Sequence, residues 1–560
     1  MASLDAREFT VGAAAGFALA MCAAYAYQQR ERKRDTARKP IGRRRSLTSD
    51  QSYLQGQRSD ARPHHTAAVK AWQRAKDDVL SQFRAKYPAG FGSELVLLSQ
   101  IKVDNVFLLP VPHLSDYHEG ADLPNRMGIG CANKEELQQS YNKLMGDQDV
   151  IIHDIVRKPN ADPVTTAYLR AGPRDVTHFN PCKVRAAIVT CGGLCPGLNN
   201  VIQGIVRALI SLYGAEKVYG VRGGYQGFSD PNFPPVELTL ANVVGLQHKG
   251  GTMIGTGRGS FDLDKTMGFL KQNRISQLYV VGGDGTHRAA NKIAEEARRL
   301  KLNIAVCGIP KTIDNDIDLI DRAFGFNTAV EEAQAAIESA QTEARCNLPN
   351  GIGIVKLMGR HSGFIAVHAT MCSGDVDLCL VPEVPVVMDG PKGCLPHLER
   401  VLDRKGFAVI VVAEGAGEEI LGRAVEVDKG GNRKLPELGK WLKDEIGTFF
   451  DKRGKPTTVK YIDPSYMIRS VPANASDAIY TALLAQNAVH GAMAGYTAFS
   501  VGMANNRLVY IPISSLVKNS PRIMDPMGRT WERVLSVTGQ PNTAVKIDST
   551  SAAISTRTII

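Results

Sequence analysis

Residues 184–214 read "VRAAIVTCGGLCPGLNNVIQGIVRALISLYG". The stretch begins with a short apolar segment, continues with a turn that contains three glycines, and ends in an apolar segment with helical periodicity. This pattern predicts a β-strand that leads through a tight turn into an α-helix. A strand followed by a helix is the repeating unit of a parallel sheet whose faces are covered by helices.

The same unit recurs downstream in residues 275–302, 303–344 and 351–373, and residues 407–417 form a further apolar strand with a glycine-rich end. Alternating strands and helices predict an α/β protein with a mostly parallel sheet that is covered on both faces. In such sheets, ligands bind beyond the carboxyl ends of the strands. The loops that follow these strands are therefore the candidate site.

Length and composition indicate more than one domain. The chain has 560 residues, and a typical domain has about 150. Much of the net charge of +11 lies in residues 28–62, whose Arg-, Ser- and Gln-rich composition favours disorder. The remainder is close to neutral, so the charge is no evidence for a nucleic-acid partner, and none is expected. The ten cysteines are scattered without zinc-ribbon spacing, which indicates reduced thiols in a reducing compartment.

The N-terminus carries an uncharged segment. Residues 9–27 contain no charged side chain and are about long enough to cross a bilayer as a helix. The "RERKR" cluster that follows favours a cytosolic position for the rest of the chain. Because the segment is rich in Ala and Gly, its hydrophobicity is modest for a membrane span. A cleaved signal or transit peptide is therefore an alternative. We expect a cytoplasmic protein that this segment tethers to a membrane, with targeting to an organelle as the alternative.

A second unusual stretch, "KTIDNDIDLI" at residues 311–320, places three carboxylates directly after an apolar strand. A solvated acidic turn is the commoner reason for such a cluster. The alternative is a site that handles a proton and a metal ion beside an anionic substrate. Phosphoryl transfer requires positioned phosphates, a metal ion, a cation for the developing charge and a base for the attacking hydroxyl. Asp314 or Asp316 could be that base, and Arg360 could be the cation.

Three glycine-rich loops supply the remaining parts of such a site. Residues 192–199 bring the backbone close to a ligand at a helix start, and residues 250–260 place Arg258 among further glycines. In "GGDGT", residues 282–286, Asp284 follows a strand. Asp284 could cap the following helix, but beside a phosphate chain a carboxylate is the usual protein ligand for Mg²⁺.

Seven motifs occur in order along the chain: "GGLCPGLNN", "GGTMIGTGR", "GGDGT", "PKTIDNDI", "MGRHSGF", "VAEGAG" and "YIDPSYMIR". Together they resemble the motif set of the 6-phosphofructokinases, over residues 183–505. Within that family the chain is most similar to the plant and kinetoplastid-type branch of ATP-dependent enzymes, which the segment "FLLPVPHLSDYHEGADLPNR" also fits. The lipid and NAD kinases share "GGDGT" but lack the "TIDND" and "YMIR" elements.

The resemblance implies phosphoryl transfer from ATP to the 1-hydroxyl of D-fructose 6-phosphate, which gives fructose 1,6-bisphosphate and ADP in the committed step of glycolysis. A pyrophosphate-dependent enzyme and a non-catalytic regulatory subunit of the same fold are the alternatives. The resemblance also implies two Rossmann-like three-layer domains with the active site in the cleft between them, a homotetramer, and allosteric control by AMP.

The expected divisions are a membrane anchor or targeting segment (1–27), a basic extension (28–95), a branch-specific segment (96–180), an ATP-binding domain (181–345), and a fructose 6-phosphate-binding domain with a C-terminal extension (346–560). We expect the chain to cross back between the last two divisions.

The family's functional residues carry over onto matching positions of this sequence. Asp314 would take the proton from the sugar 1-hydroxyl, Asp316 would support it, and Arg360 would stabilise the transferring phosphoryl group. Asp284 would bind Mg²⁺. The residues expected to line the ATP phosphates are Gly193, Arg258, Gly259, Gly283, Asp284, Gly285 and Thr286. The residues expected to hold the sugar phosphate are Thr312, Ile313, Asp314, Met358, Gly359, Arg360, Glu414, Lys460, Tyr466, Met467, Ile468 and Arg469. The last four of these would form the pocket of the 6-phosphate, with Lys460 as a further cation.

Two positions bear on the phosphoryl donor, and they conflict. Pyrophosphate enzymes of the family carry Asp where this chain has Gly285, and a carboxylate there would crowd and repel the α-phosphate of ATP. Lys311, by contrast, is shared with the pyrophosphate enzymes. We expect ATP, because an Asp at this position would exclude ATP by its volume and charge, whereas Gly285 leaves room for the α-phosphate.

The chain departs from bacterial relatives at three positions. Gly351 stands where those relatives carry an Arg that reaches into the neighbouring subunit. Of two effector-site arginines, one is replaced by Gln203 and the other corresponds to Arg207, so half of that pair is present. His361 follows Arg360 where small polar residues are frequent, and we expect it to be a satisfied structural histidine.

Overall fold

The computed structural model describes residues 105–125, 144–156, 164–422, 435–518 and 520–544. The expected anchor at residues 9–27 and the basic stretch 28–62 lie outside these ranges. Within them, no helix combines the length and the apolar character that a membrane span requires.

The described ranges contain sixteen strands and eleven α-helices. The strands are β1 (Asn105–Leu108), β2 (Leu123–Pro124), β3 (Val150–Ile152), β4 (Val164–Arg170), β5 (Val176–Thr177), β6 (Arg185–Thr190), β7 (Lys217–Val221), β8 (Val236–Glu237), β9 (Gln277–Gly282), β10 (Ala305–Pro310), β11 (Gly351–Leu357), β12 (Leu378–Leu380), β13 (Phe407–Ala413), β14 (Thr458–Ile462), β15 (Phe499–Ala504) and β16 (Arg507–Pro512). The helices are α1 (Leu198–Arg207), α2 (Leu263–Gln272), α3 (Asp284–Arg299), α4 (Phe326–Cys346), α5 (Phe364–Ser373), α6 (Cys394–Lys405), α7 (Glu418–Leu421), α8 (Leu438–Asp451), α9 (Ala475–Met493), α10 (Ile513–Leu516) and α11 (Arg529–Thr538).

Two sheets organise the structure. Ten strands form the larger sheet in the order β1-β4-β16-β15-β10-β9-β6-β7-β8, with β3 paired to β4. Its central strands β15, β10, β9, β6 and β7 are parallel. The second sheet, β12-β13-β11-β14, is parallel throughout. The predicted α/β class with mostly parallel sheets is therefore confirmed.

Helices cover both faces of each sheet because the central strands are apolar on both sides. In β6, Ala186 and Ile188 belong to one core cluster with α1 and α9, whereas Ala187 and Val189 belong to another with α2 and α3. The second sheet is enclosed in the same way, with α4 and α5 on one face and α6 and α8 on the other. Each sheet is thus the middle of three layers.

The two sheets share one core. Ile309 of β10 and Val355 of β11 lie in the same buried apolar cluster. After the second sheet the chain returns through α9, which packs against α1, and adds β15 and β16 to the larger sheet. This return fixes the position of the two sheets' loops relative to each other.

Candidate active site

Loops from the two sheets meet in a cleft of ≈ 740 Å³. Its walls include the loops after β6, β9 and β10 of the larger sheet and after β11 and β13 of the second sheet. All five loops follow the carboxyl ends of parallel strands, where α/β proteins bind their ligands. The volume is that of an ordinary small-molecule site.

Most of the site residues predicted from the sequence line this cleft. They are Gly193, Arg258, Gly259, Gly283, Asp284, Gly285, Thr286, Thr312, Ile313, Asp314, Asp316, Met358, Arg360, Glu414 and Arg469. The predicted residues outside its lining are Gly359, Lys460, Tyr466, Met467 and Ile468.

The residues predicted to form the sugar 6-phosphate pocket are only partly brought to the cleft. Tyr466 is 74% exposed and Met467 is 71% exposed, whereas Ile468 is buried. Lys460 is exposed on β14, where it lies opposite Gly353 in the middle of β11. Arg469 reaches the cleft, with its guanidinium carbon 4.8 Å from the centre of the Tyr466 ring.

The acidic loop, residues 311–321, turns sharply after β10. Asn315 and Leu319 have φ angles of 58° and 67°, a left-handed conformation that costs energy for residues other than glycine. The Asn315 side chain stabilises the turn, because its Oδ1 accepts a hydrogen bond of 2.8 Å from the backbone of Ala323. The loop is therefore held by its own side chains.

Thr312 orders the two neighbouring carboxylates in this loop. Its hydroxyl donates to Asp316 Oδ1 at 2.7 Å and accepts from the backbone N–H of Asp314 at 3.2 Å. Asp314 Oδ1 is buried and accepts no hydrogen bond from the described residues. A buried acceptor without a donor is unusual, and it marks a place where a ligand hydroxyl can bind.

Burial raises the pKa of Asp314 to about 8. The charges of Asp316 and Glu414 contribute to this raised pKa, while Arg360 and Lys311 act in the opposite direction. A carboxyl group with a pKa near neutrality can take up and release a proton under working conditions. The electrostatics of Asp314 therefore suit acid–base chemistry.

Cationic groups surround the backbone of Gly193. Lys311 is buried, which lowers the pKa of its ammonium group, and its Nζ donates to Gly193 O at 2.8 Å. A β-carbon placed on Gly193 would lie 3.3 Å from Arg258 Nη2 and 3.7 Å from Arg469 Nη1. Glycine at this position allows the two guanidinium groups to lie close to the backbone. The cluster is suited to a phosphate chain.

Arg360 and Glu414 lie on the second-sheet side of the cleft, with Arg360 Nε 3.9 Å from Glu414 Oε1. Gly359 shapes this side without lining it. Its φ is 133°, and a β-carbon there would collide with the carbonyl oxygen of Ser362. The tight turn that presents Arg360 therefore requires glycine.

Asp284 is the first residue of α3. Burial, together with the charge of Asp316, raises its pKa to about 6, and the charge of Arg288 acts in the opposite direction. Arg288 Nη2 lies 3.9 Å from Asp284 Oδ2. Burial disfavours the charged form of a carboxylate, and a nearby cation stabilises it. Carboxylate oxygens are also the ligands that Mg²⁺ prefers. The donor type and its electrostatics fit a magnesium ligand.

Gly285, the next residue, borders open space. Apart from its chain neighbours and the backbone of its own helix, a β-carbon placed there would have no protein atom within 4 Å. Since Gly285 lines the cleft, a larger side chain would occupy ligand space without disturbing the protein.

Two further carboxylates of the acidic loop do not line the cleft. Asp321 accepts hydrogen bonds from the backbone N–H groups of Asn505 and Asn506, at 3.0 and 2.7 Å, in the turn between β15 and β16. Asp318 is fixed through its backbone N–H, which donates to Ser520 Oγ at 3.1 Å. Asp321 thus has a structural function, so the acidic cluster combines structural and site residues.

The three departures from bacterial relatives have different surroundings. Gln203 is buried and donates to Val243 O and Gln247 Oε1, which makes it part of the packing. Gly351 is buried at the start of β11. His361 is exposed and lines the cleft, so the expectation of a satisfied structural histidine is wrong. The turn after Gly359 directs this residue out of the protein core.

Sequence reasoning missed an aromatic wall of the cleft. Tyr225 and Phe261 line it with ring centres 5.0 Å apart, and the Tyr225 hydroxyl donates to Thr286 O at 2.9 Å. Pro521 also lines the cleft, from a segment close to the C-terminal end of the described chain. Phe261 directly follows the second glycine-rich loop, which was the available signal, whereas no motif surrounds Pro521.

Comparisons with known proteins agree with this geometry. A sequence model described as phosphofructokinase matches residues 185–492. The chain is 46% identical to ATP-dependent 6-phosphofructokinase 7 of Arabidopsis thaliana over 438 residues, which cover 78% of this chain and 89% of that protein. It is 42% identical to the ATP-dependent 6-phosphofructokinase of Trypanosoma cruzi over 372 residues, 66% of this chain and 76% of that one. The solved structure of a pyrophosphate-dependent phosphofructokinase from Marinobacter aquaeolei aligns with a TM-score of 0.53 at 19% identity, over 67% of this chain and 95% of that chain, which shows a shared fold.

Proposed function

The chain belongs to the phosphofructokinase family, and we propose that it transfers the terminal phosphoryl group of ATP to the 1-hydroxyl of fructose 6-phosphate. It is a kinase of glycolysis, with fructose 1,6-bisphosphate and ADP as products. The observation that carries this assignment is the buried Asp314 carboxylate, whose Oδ1 accepts no hydrogen bond from the described residues. It lies in a cleft formed by glycine-rich, phosphate-type loops on one side and Arg360 and Glu414 on the other.

Asp314 is the general base of this mechanism. In its ionised form it accepts the proton of the sugar 1-hydroxyl through Oδ1, and the hydroxyl oxygen attacks the terminal phosphorus of ATP. Thr312 supports this step, because it holds both the Asp314 backbone and the Asp316 carboxylate. Asp316 raises the pKa of Asp314 and so increases its affinity for the proton.

Arg360 stabilises the charge that develops on the transferring phosphoryl group. It lines the same cleft as Asp314 and lowers the pKa of that carboxyl group, so its charge acts at the reacting position. Arg258 and Lys311 lie around Gly193 on the opposite side, where they neutralise the phosphates of the donor. Fixed cations in a cleft of this kind act without reorganisation during the reaction.

Asp284 is the proposed ligand for Mg²⁺. Its carboxylate lines the cleft, and burial raises its pKa, so a bound cation would relieve an unfavourable charge. When bound, the ion neutralises part of the charge on the phosphate oxygens.

ATP is the proposed donor because Gly285 leaves ligand space open on the nucleotide side. Lys311 favours the second candidate, a pyrophosphate-dependent enzyme, since that class shares this residue. The conflict is resolved by an assay of the purified protein with fructose 6-phosphate and either ATP or pyrophosphate. We expect turnover with ATP and none with pyrophosphate. Turnover with pyrophosphate alone would replace the proposed donor, and no turnover with either donor would leave the non-catalytic subunit as the function.

A homotetramer is the proposed assembly. Tyr466 and Met467 are large apolar side chains that the described chain leaves more than two-thirds exposed, and exposed apolar groups of this size favour an interface. Sedimentation should give a mass of four chains. A stable monomer with full activity would contradict this proposal.

Three further proposals concern organisation and control. The divisions at 181–345 and 346–560 with a chain crossing back are supported by the return of β15 and β16 to the larger sheet. AMP is the proposed effector at a site other than the bacterial one, since Gln203 is fixed by hydrogen bonds within the protein. Activity measured with and without AMP tests this proposal.

A cytoplasmic location with membrane attachment through residues 9–27 is proposed from the sequence.

A further inference from the structure

Residues 520–524, which we name the C-terminal strap, lie between α10 and α11 in the chain. The strap touches loops from both sheets. Pro521 lines the cleft itself, and the hydroxyl of Ser520 accepts from the Asp318 backbone at 3.1 Å while donating to Leu516 O at 2.9 Å. The seven sequence motifs lie elsewhere in the chain, and none of them marks this segment.

Arg522 of the strap fixes the acidic loop at three points. Its backbone N–H donates to Asp316 O at 2.6 Å. Its guanidinium donates through Nη2 to Asn315 O at 3.3 Å and through Nη1 to Ile320 O at 3.4 Å. These acceptors lie on both sides of Leu319, so one side chain spans the strained part of the loop.

The charge of Arg522 complements the loop that it contacts. Burial lowers the pKa of Arg522, and the charges of Asp318, Asp316 and Asp321 oppose that effect. An arginine remains charged under such conditions because its ordinary pKa is far above neutrality. A partly buried cation therefore faces the acidic residues from outside the cleft.

The same strap reaches the sugar-side loop. Met524 N donates to Glu383 Oε1 at 2.8 Å, and the Glu383 carboxylate also accepts from Gly363 N at 2.9 and 3.1 Å. Gly363 precedes α5 and is three residues after Arg360. The guanidinium carbon of Arg522 lies 5.0 Å from the centre of the Phe364 ring, at the start of that helix. The strap thus connects the loop of Asp314 to the loop of Arg360.

We propose that Arg522 is a positioning residue for phosphoryl transfer, which holds the acidic loop and its Asp314 carboxylate at a fixed distance from Arg360. This inference rests on the proposed function. A base and a charge-stabilising group must be held in register with the reacting atoms, and a misplacement of about 1 Å can cost on the order of 100-fold in rate. The fork of the guanidinium is suited to this task because it binds two carbonyls at once.

The test compares Arg522→Met, Arg522→Lys and the control Arg529→Met in the full chain. The control removes a guanidinium from the same part of the chain, where the Arg529 side chain is 87% exposed. We expect kcat of Arg522→Met to fall by at least about tenfold, with KM for ATP and for fructose 6-phosphate within about twofold of the wild type. Arg522→Lys keeps a cation without the fork and should give an intermediate kcat. Arg529→Met should behave as the wild type.

Wild-type kcat in Arg522→Met or in Arg522→Lys would overturn the inference, as would equal losses in Arg522→Met and the control. A rise in KM with unchanged kcat would also overturn it, because it would show a loss of substrate binding instead of positioning. If Arg522→Met does not fold, as judged by circular dichroism, the kcat of the folded Arg522→Lys decides the question by the same criterion. An inactive wild type would reject the proposed function, whereas an active wild type with active Arg522 variants rejects only the role of Arg522.

Discussion

The hydroxyl of Thr312 donates to Asp316 Oδ1 at 2.7 Å, whereas the neighbouring Asp314 Oδ1 accepts no hydrogen bond from the described residues. Two carboxylates of one loop are therefore in different states. The first is stabilised by the protein, and the second is destabilised by burial and by the charge of the first. Neighbouring carboxylates in unlike environments are the usual way in which a site separates a supporting group from a reacting one.

Asp314→Ser should lower kcat by at least about 100-fold with little change in either KM, because it removes the base and leaves the other phosphate and sugar contacts in place. Steady-state kinetics with both substrates measure this. Asp375→Ser, an exposed carboxylate after α5, is the matched control and should keep wild-type rates. Near-normal turnover of Asp314→Ser would remove Asp314 from its proposed role.

The pH dependence of kcat/KM should follow the pKa of Asp314. Because burial raises this pKa to about 8, the ionised base is scarce at neutral pH, and kcat/KM should rise as the pH increases and level off above about 8. Glu414→Gln removes a charge that raises the pKa, so the rising limb should move to lower pH. Glu338→Gln on the exposed side of α4 should leave the limb unchanged. A limb that stays in place in Glu414→Gln would show that a different group titrates.

Gly285→Asp should abolish the use of ATP while the protein remains folded. A β-carbon at this position contacts no protein atom beyond its chain neighbours and its own helix backbone, so the new carboxylate would act on the nucleotide phosphates by volume and charge. Gly268→Asp is the control, since Gly268 on α2 also borders open space but does not line the cleft. Assays with ATP and with pyrophosphate measure the outcome. An unchanged KM for ATP would show that exclusion at this position does not select the donor.

Asp284→Asn should raise the Mg²⁺ concentration needed for half-maximal rate by at least about tenfold, since an amide is a weaker ligand for a hard cation than a carboxylate. A titration of activity against Mg²⁺ measures the shift. Asp264→Asn on the exposed part of α2 should leave the titration unchanged. If both variants require the same Mg²⁺ concentration as the wild type, Asp284 is not the ligand.

A chain that starts at Ala67 should keep full activity and lose membrane association, because every predicted site residue lies after Gly192. The sequence predicts that basic clusters after residue 27 add roughly 1 kcal/mol of attraction to an anionic membrane for each cation close to it. Fractionation of cells beside the full-length chain measures the distribution. Equal solubility of the two chains, with the full-length N-terminus intact, would exclude an anchor, and a shortened mature chain would indicate a targeting peptide.

The sequence predicted the fold class and the main part of the cleft because both depend on local patterns. Strands β6, β9 and β10 are apolar on both faces, so they read as continuous apolar runs. Asp284 and Asp314 follow two of these strands within a few residues, and the carboxyl ends of parallel strands meet at one edge. Their convergence could therefore be foreseen.

The rest of the site depends on contacts between distant segments. Pro521 lines the cleft and Arg522 contacts the acidic loop from the end of the described chain, and no local pattern marks either residue. The exposure of His361 depends on the turn at Gly359, which sequence spacing does not reveal. The exposure of Tyr466 is likewise set by the folded chain and not by any local pattern in the sequence.

The position of β15 has a consequence for the synthesis of the protein. β10 pairs with β9 on one side and with β15 on the other, and β15 is made only after the whole second sheet. While the ribosome is still translating residues 311–498, one edge of β10 is unpaired, although the second sheet can already form from its contiguous segment. Unpaired apolar strand edges invite aggregation and bind chaperones. A message truncated before β15 would therefore yield a chain whose smaller sheet is complete and whose larger sheet is left open beside the acidic loop.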